Sequence, residues 1–258
     1  MTQIRVLETA VLHSSDVAYW LDGSSAENAV DMARVPLALT LELSSRPSDL
    51  TLVNSIGKTA FLRRPTNPII NGEATENDKK MPVTATFPIA GTVSDPAGRF
   101  IPRRFSFNAG NAAGHSIVLF PTPLGTKFGK GGGLIGTLRF SNNSAPVPWA
   151  LLTLAVTTAI GTTLTFKGQA NGQGDFNLSM NRLPPLPEGI DHYDAQLSIS
   201  ALAIANADIP VDPADFVAMQ LGNLTANSFA NPIGLSVVPG EIRLTRSFNR
   251  DHLAVQPI

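Results

Sequence analysis

The chain contains no cysteine. That excludes disulfides, thiolate metal sites and cysteine nucleophiles, and it leaves the redox compartment open. Charge is also scarce. Asp, Glu, Lys and Arg make up 15% of the 258 residues, against about 25% in an average globular chain. The 19 basic and 20 acidic side chains give a formal net charge of −1 and form no basic stripe, so no nucleic-acid partner is expected. No apolar run approaches the roughly 18 residues needed to cross a bilayer, so no membrane span is expected. The segment Met1-Thr-Gln-Ile-Arg-Val-Leu7 has neither an apolar h-region nor a cleavage site. The expectation is therefore synthesis in the cytoplasm without a signal peptide. In that setting the Asn-x-Ser/Thr triplets at Asn142, Asn177 and Asn223 read as chance matches to the glycosylation pattern.

What the chain does have is alternation. Hydrophobic residues make up 43%, and many recur at every second position, which puts one face against a core and the other toward solvent. The pattern is clear at Leu37–Leu43, Phe105–Phe107, Leu138–Phe140, Leu164–Phe166, Phe176–Met180, Leu197–Ala201 and Ile242–Thr245. Two continuous apolar runs, Ile117–Phe120 and Leu151–Val156, read as more central strands. With 21 Gly and 20 Pro placed mainly between the runs, the sequence predicts many short strands joined by turns. The fold class expected is all-β: two β-sandwich-like domains with a short helix and an extended C-terminal arm.

The helix is predicted over Asp212–Gly222, where Asp212 can cap, Pro213 suits the first position and Gly222 can close the end. A second short helix is predicted over Ala26–Arg34 with Ser25 as its cap. The polar segment Asn71–Lys80 reads as a long exposed loop. Residues 121–133, rich in Pro and Gly, read as a flexible linker between domains. The division expected is 1–120, 134–205, and a helix plus arm over 206–258. Two segments, Asp95-Pro-Ala-Gly-Arg-Phe100 and Asn171-Gly-Gln-Gly-Asp-Phe176, share the pattern [Asp/Asn]-x-x-Gly-x-Phe. Each predicts a tight turn followed by a strand whose Phe points inward.

Motifs that would carry chemistry fail on context. Gly131-Gly-Gly-Leu-Ile-Gly136 has the letters of a dinucleotide loop, but a loop precedes it and a strand-like run follows, where a strand and a helix are required. Gly125–Lys130 lacks the spacing of a phosphate loop, and Gly131 follows the lysine where Ser or Thr is needed. His13, His115, His192 and His252 do not stand at metal-ligand spacing. Asp191-His-Tyr-Asp194 sets a carboxylate beside a histidine, yet adjacent strand residues face opposite sides and no nucleophile motif accompanies it. Asp208, Asp212 and Asp215 do not follow a calcium-loop spacing. Arg63-Arg64 and Arg99 with Arg103-Arg104 read as solvated strand ends or salt-bridge partners. Tyr19, Trp20 and Trp149 could form a sugar-stacking platform, although Trp149 reads better as core. No catalytic, cofactor-binding or metal-ligating residue is assigned, and a non-enzyme is expected.

The C-terminal arm offers apolar side chains on a segment broken by Pro and Gly. Ile242, Leu244, Phe248, Leu253, Val255 and Ile258 are the expected interface residues. They cost about 1.5–3 kcal/mol each if left in water, and docking across a subunit boundary is expected. The partners expected are other subunits of a multi-protein assembly, arranged as a homo-oligomer or ring.

Residues from about 136 to 205 resemble a carboxypeptidase-regulatory-like, transthyretin-type β-sandwich. The resemblance lies in the strand Leu134–Phe140, the following Ala145-Pro-Val-Pro-Trp-Ala150 and the turn Asn171-Gly-Gln-Gly-Asp-Phe176. It covers roughly a quarter of the chain and implies a non-catalytic packing or attachment module. Ile89–Phe105, with Asp-Pro-Ala-Gly-Arg-Phe-Ile-Pro-Arg-Arg-Phe at its end, is similar to a stretch in accessory proteins of phage tails and contractile injection systems. Together these resemblances imply a structural component of a virion or phage-tail-like particle: a cap, baseplate or fibre attachment. The alternative is a carbohydrate- or surface-binding β-sandwich module.

Overall fold

A computed structural model describes residues 13–48, 50–63, 86–203 and 206–258. The predicted loop at Asn71–Lys80 and Arg64 lie outside the described residues. The first part of the chain forms β1 (His13–Asp22), β2 (Thr40–Ser45), β3 (Leu50–Ser55), β4 (Lys58–Arg63), β5 (Phe87–Ser94), β6 (Arg103–Ala109) and β7 (Ala113–Leu119). The second forms β8 (Gly133–Phe140), β9 (Leu151–Thr157), β10 (Thr163–Gln169), β11 (Asp175–Ser179) and β12 (Tyr193–Ala201). It continues with β13 (Val217–Gly222), β14 (Phe229–Ala230), β15 (Ile233–Val237), β16 (Ile242–Leu244) and β17 (Leu253–Pro257). The fold is all-β. Among the described residues the one helical element is a three-residue 3-10 turn, Pro213–Asp215, and no helix is long and apolar enough to cross a membrane.

Alternation builds these strands. In β12, Tyr193, Ala195, Leu197, Ile199 and Ala201 are buried while Asp194 and Gln196 are exposed, the two-residue period of a strand with one face on a core. Two main cores result. The first gathers Trp20, Phe61, Ile89 and Phe105 with their neighbours, enclosed by a sheet of order β3-β4-β1-β7 and another of order β2-β5-β6. Trp20 meets Phe105 edge-on at 5.6 Å between ring centroids, a favoured aromatic geometry. The second core gathers Leu134, Leu152, Phe166, Phe176, Leu197 and Val255 within a ten-stranded sheet. Its main order is β10-β9-β12-β13-β17-β8-β11.

A third, smaller cluster joins the two. Ile101 from the first unit packs with Trp149 and Val211 from the second. Beside it an Arg103 Nη donates to an Asp212 carboxylate oxygen at 2.9 Å, and the Arg104 amide donates to the Val211 carbonyl at 3.2 Å. The partly buried Arg103–Asp212 pair therefore lies inside the chain, across the junction.

The structure corrects several sequence expectations. Asp212 does cap a helical turn, accepting from the Ala214 amide, but the turn ends at Asp215 and Val217–Gly222 is a strand. Met219 and Leu221, two apart, are both buried, and their pairing with β12 and β17 overrides the local cap signals. Ala26–Arg34 is likewise a set of turns and not a helix. There the Ser25 hydroxyl, the expected cap, accepts from the distant Ala33 amide, closing a loop. The glycines at 131–133 are explained by close packing rather than flexibility. A Cβ at Gly131 would sit 1.8 Å from the Met180 carbonyl oxygen, and one at Gly133 would sit 2.4 Å from that of Leu178.

The repeated [Asp/Asn]-x-x-Gly-x-Phe pattern produces one turn geometry twice. Asp95 accepts from the amides of Ala97 and Arg99, and Asn171 from those of Gln173 and Asp175. Gly98 and Gly174 take the left-handed conformation at φ +67° and +81°, which glycine adopts without a Cβ penalty. Phe100 and Phe176 are both buried.

Candidate functional site

The polar clusters flagged in the sequence are either structural or dispersed. Tyr193 is buried and its hydroxyl donates to the Pro185 carbonyl at 2.9 Å. Its neighbours His192 and Asp194 stand in solvent, 3.8 Å apart. Asp16 and His115 meet at 2.7 Å, a contact that sequence distance concealed. Asp16 is fully buried and also accepts from the amides of Gly110 and Ala113, while His115 stacks on Phe107 at 3.9 Å. The carboxylate thus ties the β6–β7 turn to β1, a structural use of an acid–imidazole pair. His252 is buried, with Nδ1 2.6 Å from an Asp251 oxygen. Hydrogen bonding to that imidazole, and after it a backbone hydrogen bond, holds the exposed Asp251 carboxyl below its usual range. Among the described residues no three His, Asp or Glu side chains converge in a way that could hold a metal ion.

The aromatic platform does not form. Trp20 and Trp149 are both buried, and their indole N–H groups donate internally to the Thr59 hydroxyl and the Asn206 carbonyl.

Two surface features among the described residues bear on function. One is the edge at β16. The residues after 205 are not a free arm, because β13, β15, β16 and β17 complete the large sheet. Leu253 and Val255, expected at an interface, are fully buried in the chain's own core. Strand β17 runs between β13 and β8, and that pairing removes both side chains from reach of a partner. The other four expected interface residues are exposed: Ile242 53%, Leu244 54%, Phe248 43% and Ile258 79%. All three residues of β16 are exposed. Its strand partner among the described residues is β8, in parallel register, with Arg243 opposite Leu134. The Gly133 amide donates to Glu241 and the Thr245 amide to Ile135, so backbone alternation turns the Ile242 and Leu244 peptide groups outward.

The chain matches no protein-family model, no curated protein and no solved structure.

The second feature is a cleft of about 440 Å³ between the two units, lined by Asp22, Ser24, Arg99, Lys127, Asn181 and Arg182 among others. Its walls are loops held by backbone hydrogen bonds. The Thr122 amide donates to the Arg99 carbonyl at 2.8 Å, and Asn181 donates to the Lys127 carbonyl at 3.1 Å. A Cβ at Gly125 would lie 1.9 Å from the Arg99 oxygen, so these loops meet only because that residue is glycine.

Proposed function

We propose that this protein is a non-enzymatic structural component of a phage-tail-like or contractile injection particle, joined to other copies and subunits through the β16 edge. The observation that carries this reading is a strand with Ile242 and Leu244 more than half exposed and its outer edge without a strand partner among the described residues. Open sheet edges recruit further strands; β16 is short, with Arg243 at its centre, so the contact proposed rests on the apolar pair Ile242 and Leu244 that flanks this charge. An added strand gains main-chain hydrogen bonds, and alternate side chains supply specificity. The low charge content and net charge of −1 place little electrostatic repulsion between copies. The kind of particle rests on the resemblance read in the sequence at Ile89–Phe105. The buried tryptophans argue against the sugar-binding alternative.

The test is Leu244→Asp. A charge at an exposed position changes stability by about 0.5 kcal/mol or less, so the melting temperature should move by no more than about 2 °C. Self-association, read by light scattering after gel filtration, should be lost. An unchanged assembly with an aspartate on β16 would rule out this edge as the contact.

A further inference from the structure

The cleft between the units gathers three cations, Arg99, Lys127 and Arg182, against one lining carboxylate, Asp22, in a chain whose net charge is −1. The carboxylate is already engaged, with one oxygen accepting from the Ser24 amide at 2.9 Å and from its hydroxyl at 2.7 Å. Each cation keeps a donor that no protein acceptor meets among the described residues. Among the described residues the Lys127 ammonium has no acceptor. Arg99 meets Asp95 through Nε alone, at 3.4 Å, with its side chain about half exposed. Arg182 donates one Nη to the Thr165 carbonyl and lies over the Phe166 ring, while its buried Nε has no partner.

We infer that this cleft binds a phosphate monoester dianion. A concave site lined by an excess of one charge concentrates counter-ions of the other sign. Arginine forks and a lysine ammonium together are the side-chain set that suits phosphate oxygens. The cations come from separate loops, yet hydrogen bonds hold the backbone at Arg99 and Lys127, so little ordering remains for the ligand to impose. The volume of about 440 Å³ falls in the range of small-molecule sites and leaves room for an organic group attached to the phosphate. Ser24 and Ser25 line the same wall, where their hydroxyls donate to Asp22 and hold the loop in place. This inference stands apart from the assembly reading, because the cleft and β16 involve different residues.

Isothermal titration of the full chain with inorganic phosphate and with glycerol 3-phosphate, at constant ionic strength, tests it. Saturable one-to-one binding is expected, tighter for the monoester. Lys127 is exposed, so Lys127→Gln should keep the melting temperature measured in chloride while weakening binding about tenfold or more, the usual cost of one charge-assisted hydrogen bond. Lys127→Arg should restore most of the affinity. Heat that fails to saturate with either probe would overturn the site. So would equal affinity in wild type and Lys127→Gln. Saturation by inorganic phosphate alone would overturn the monoester assignment.

Discussion

Deleting residues 246–258 is expected to unfold the second unit, with a fall in melting temperature of at least about 10 °C or loss of soluble protein. The segment carries β17, whose Leu253, Ala254 and Val255 are fully buried. Burial of Leu253 and Val255 alone contributes about 1.5–3 kcal/mol each. The strand also supplies backbone pairing on two sides, to β13 and to β8, so its removal bares two inner edges of the sheet. The Ser247 hydroxyl, which donates to the Gly222 carbonyl and accepts from the Ala254 amide, would be lost with it. The combined loss exceeds about 5 kcal/mol, a large part of the stability of a typical domain. Thermal denaturation followed by circular dichroism checks this. A truncated protein melting within about 2 °C of the full chain would mean that β17 contributes nothing to the core.

Gly132→Ala is expected to destabilise the protein by about 3–5 kcal/mol, or roughly 6–20 °C. Gly132 has φ +71°, where any other L-residue costs about 1–2 kcal/mol. A Cβ there would lie 2.1 Å from the Glu241 carbonyl oxygen. That oxygen accepts from the Gly133 amide at 2.8 Å, and the Gly132 carbonyl accepts from the Met180 amide at 2.9 Å, so neither side can withdraw without breaking a bond. Gly161→Ala provides the contrast. Gly161 also has positive φ, at +80°, but a Cβ there would meet nothing within 4 Å. Its loss should stay near 1–2 kcal/mol. Equal shifts for the two variants would mean that the close approach to Glu241 carries no weight.

The strands that could be read from sequence are those whose alternation is uninterrupted, as in Leu197–Ala201 and Phe176–Met180. β1 escaped because Asp16, a charged residue, is buried within it beside Ala18 and Trp20, and that breaks the apolar pattern. The helix expected at Asp212–Gly222 shows local signals losing to pairing. The cap is real, but Met219 and Leu221 obey a two-residue period. The role of β17 was hidden for a different reason. Its parallel pairing sets Leu253 beside Leu138, a contact across more than a hundred residues that no local pattern encodes. Separation along the chain also concealed the Asp16–His115 contact and the approach of Arg99, Lys127 and Arg182 to one cleft. The exposed side chains of β16 were legible, because apolar residues in a Pro- and Gly-broken segment have to be accounted for somewhere. Which of them stay exposed became visible only once β17 had taken its place in the sheet.

Self-association of the chain through the incomplete sheet edge at β16 is tested most directly by sedimentation equilibrium of the wild-type chain over a wide concentration range. The expected result is a mass that rises from the 27.3 kDa of one chain toward a fixed multiple of it, as copies join at β16. A mass of one chain at every concentration would contradict it.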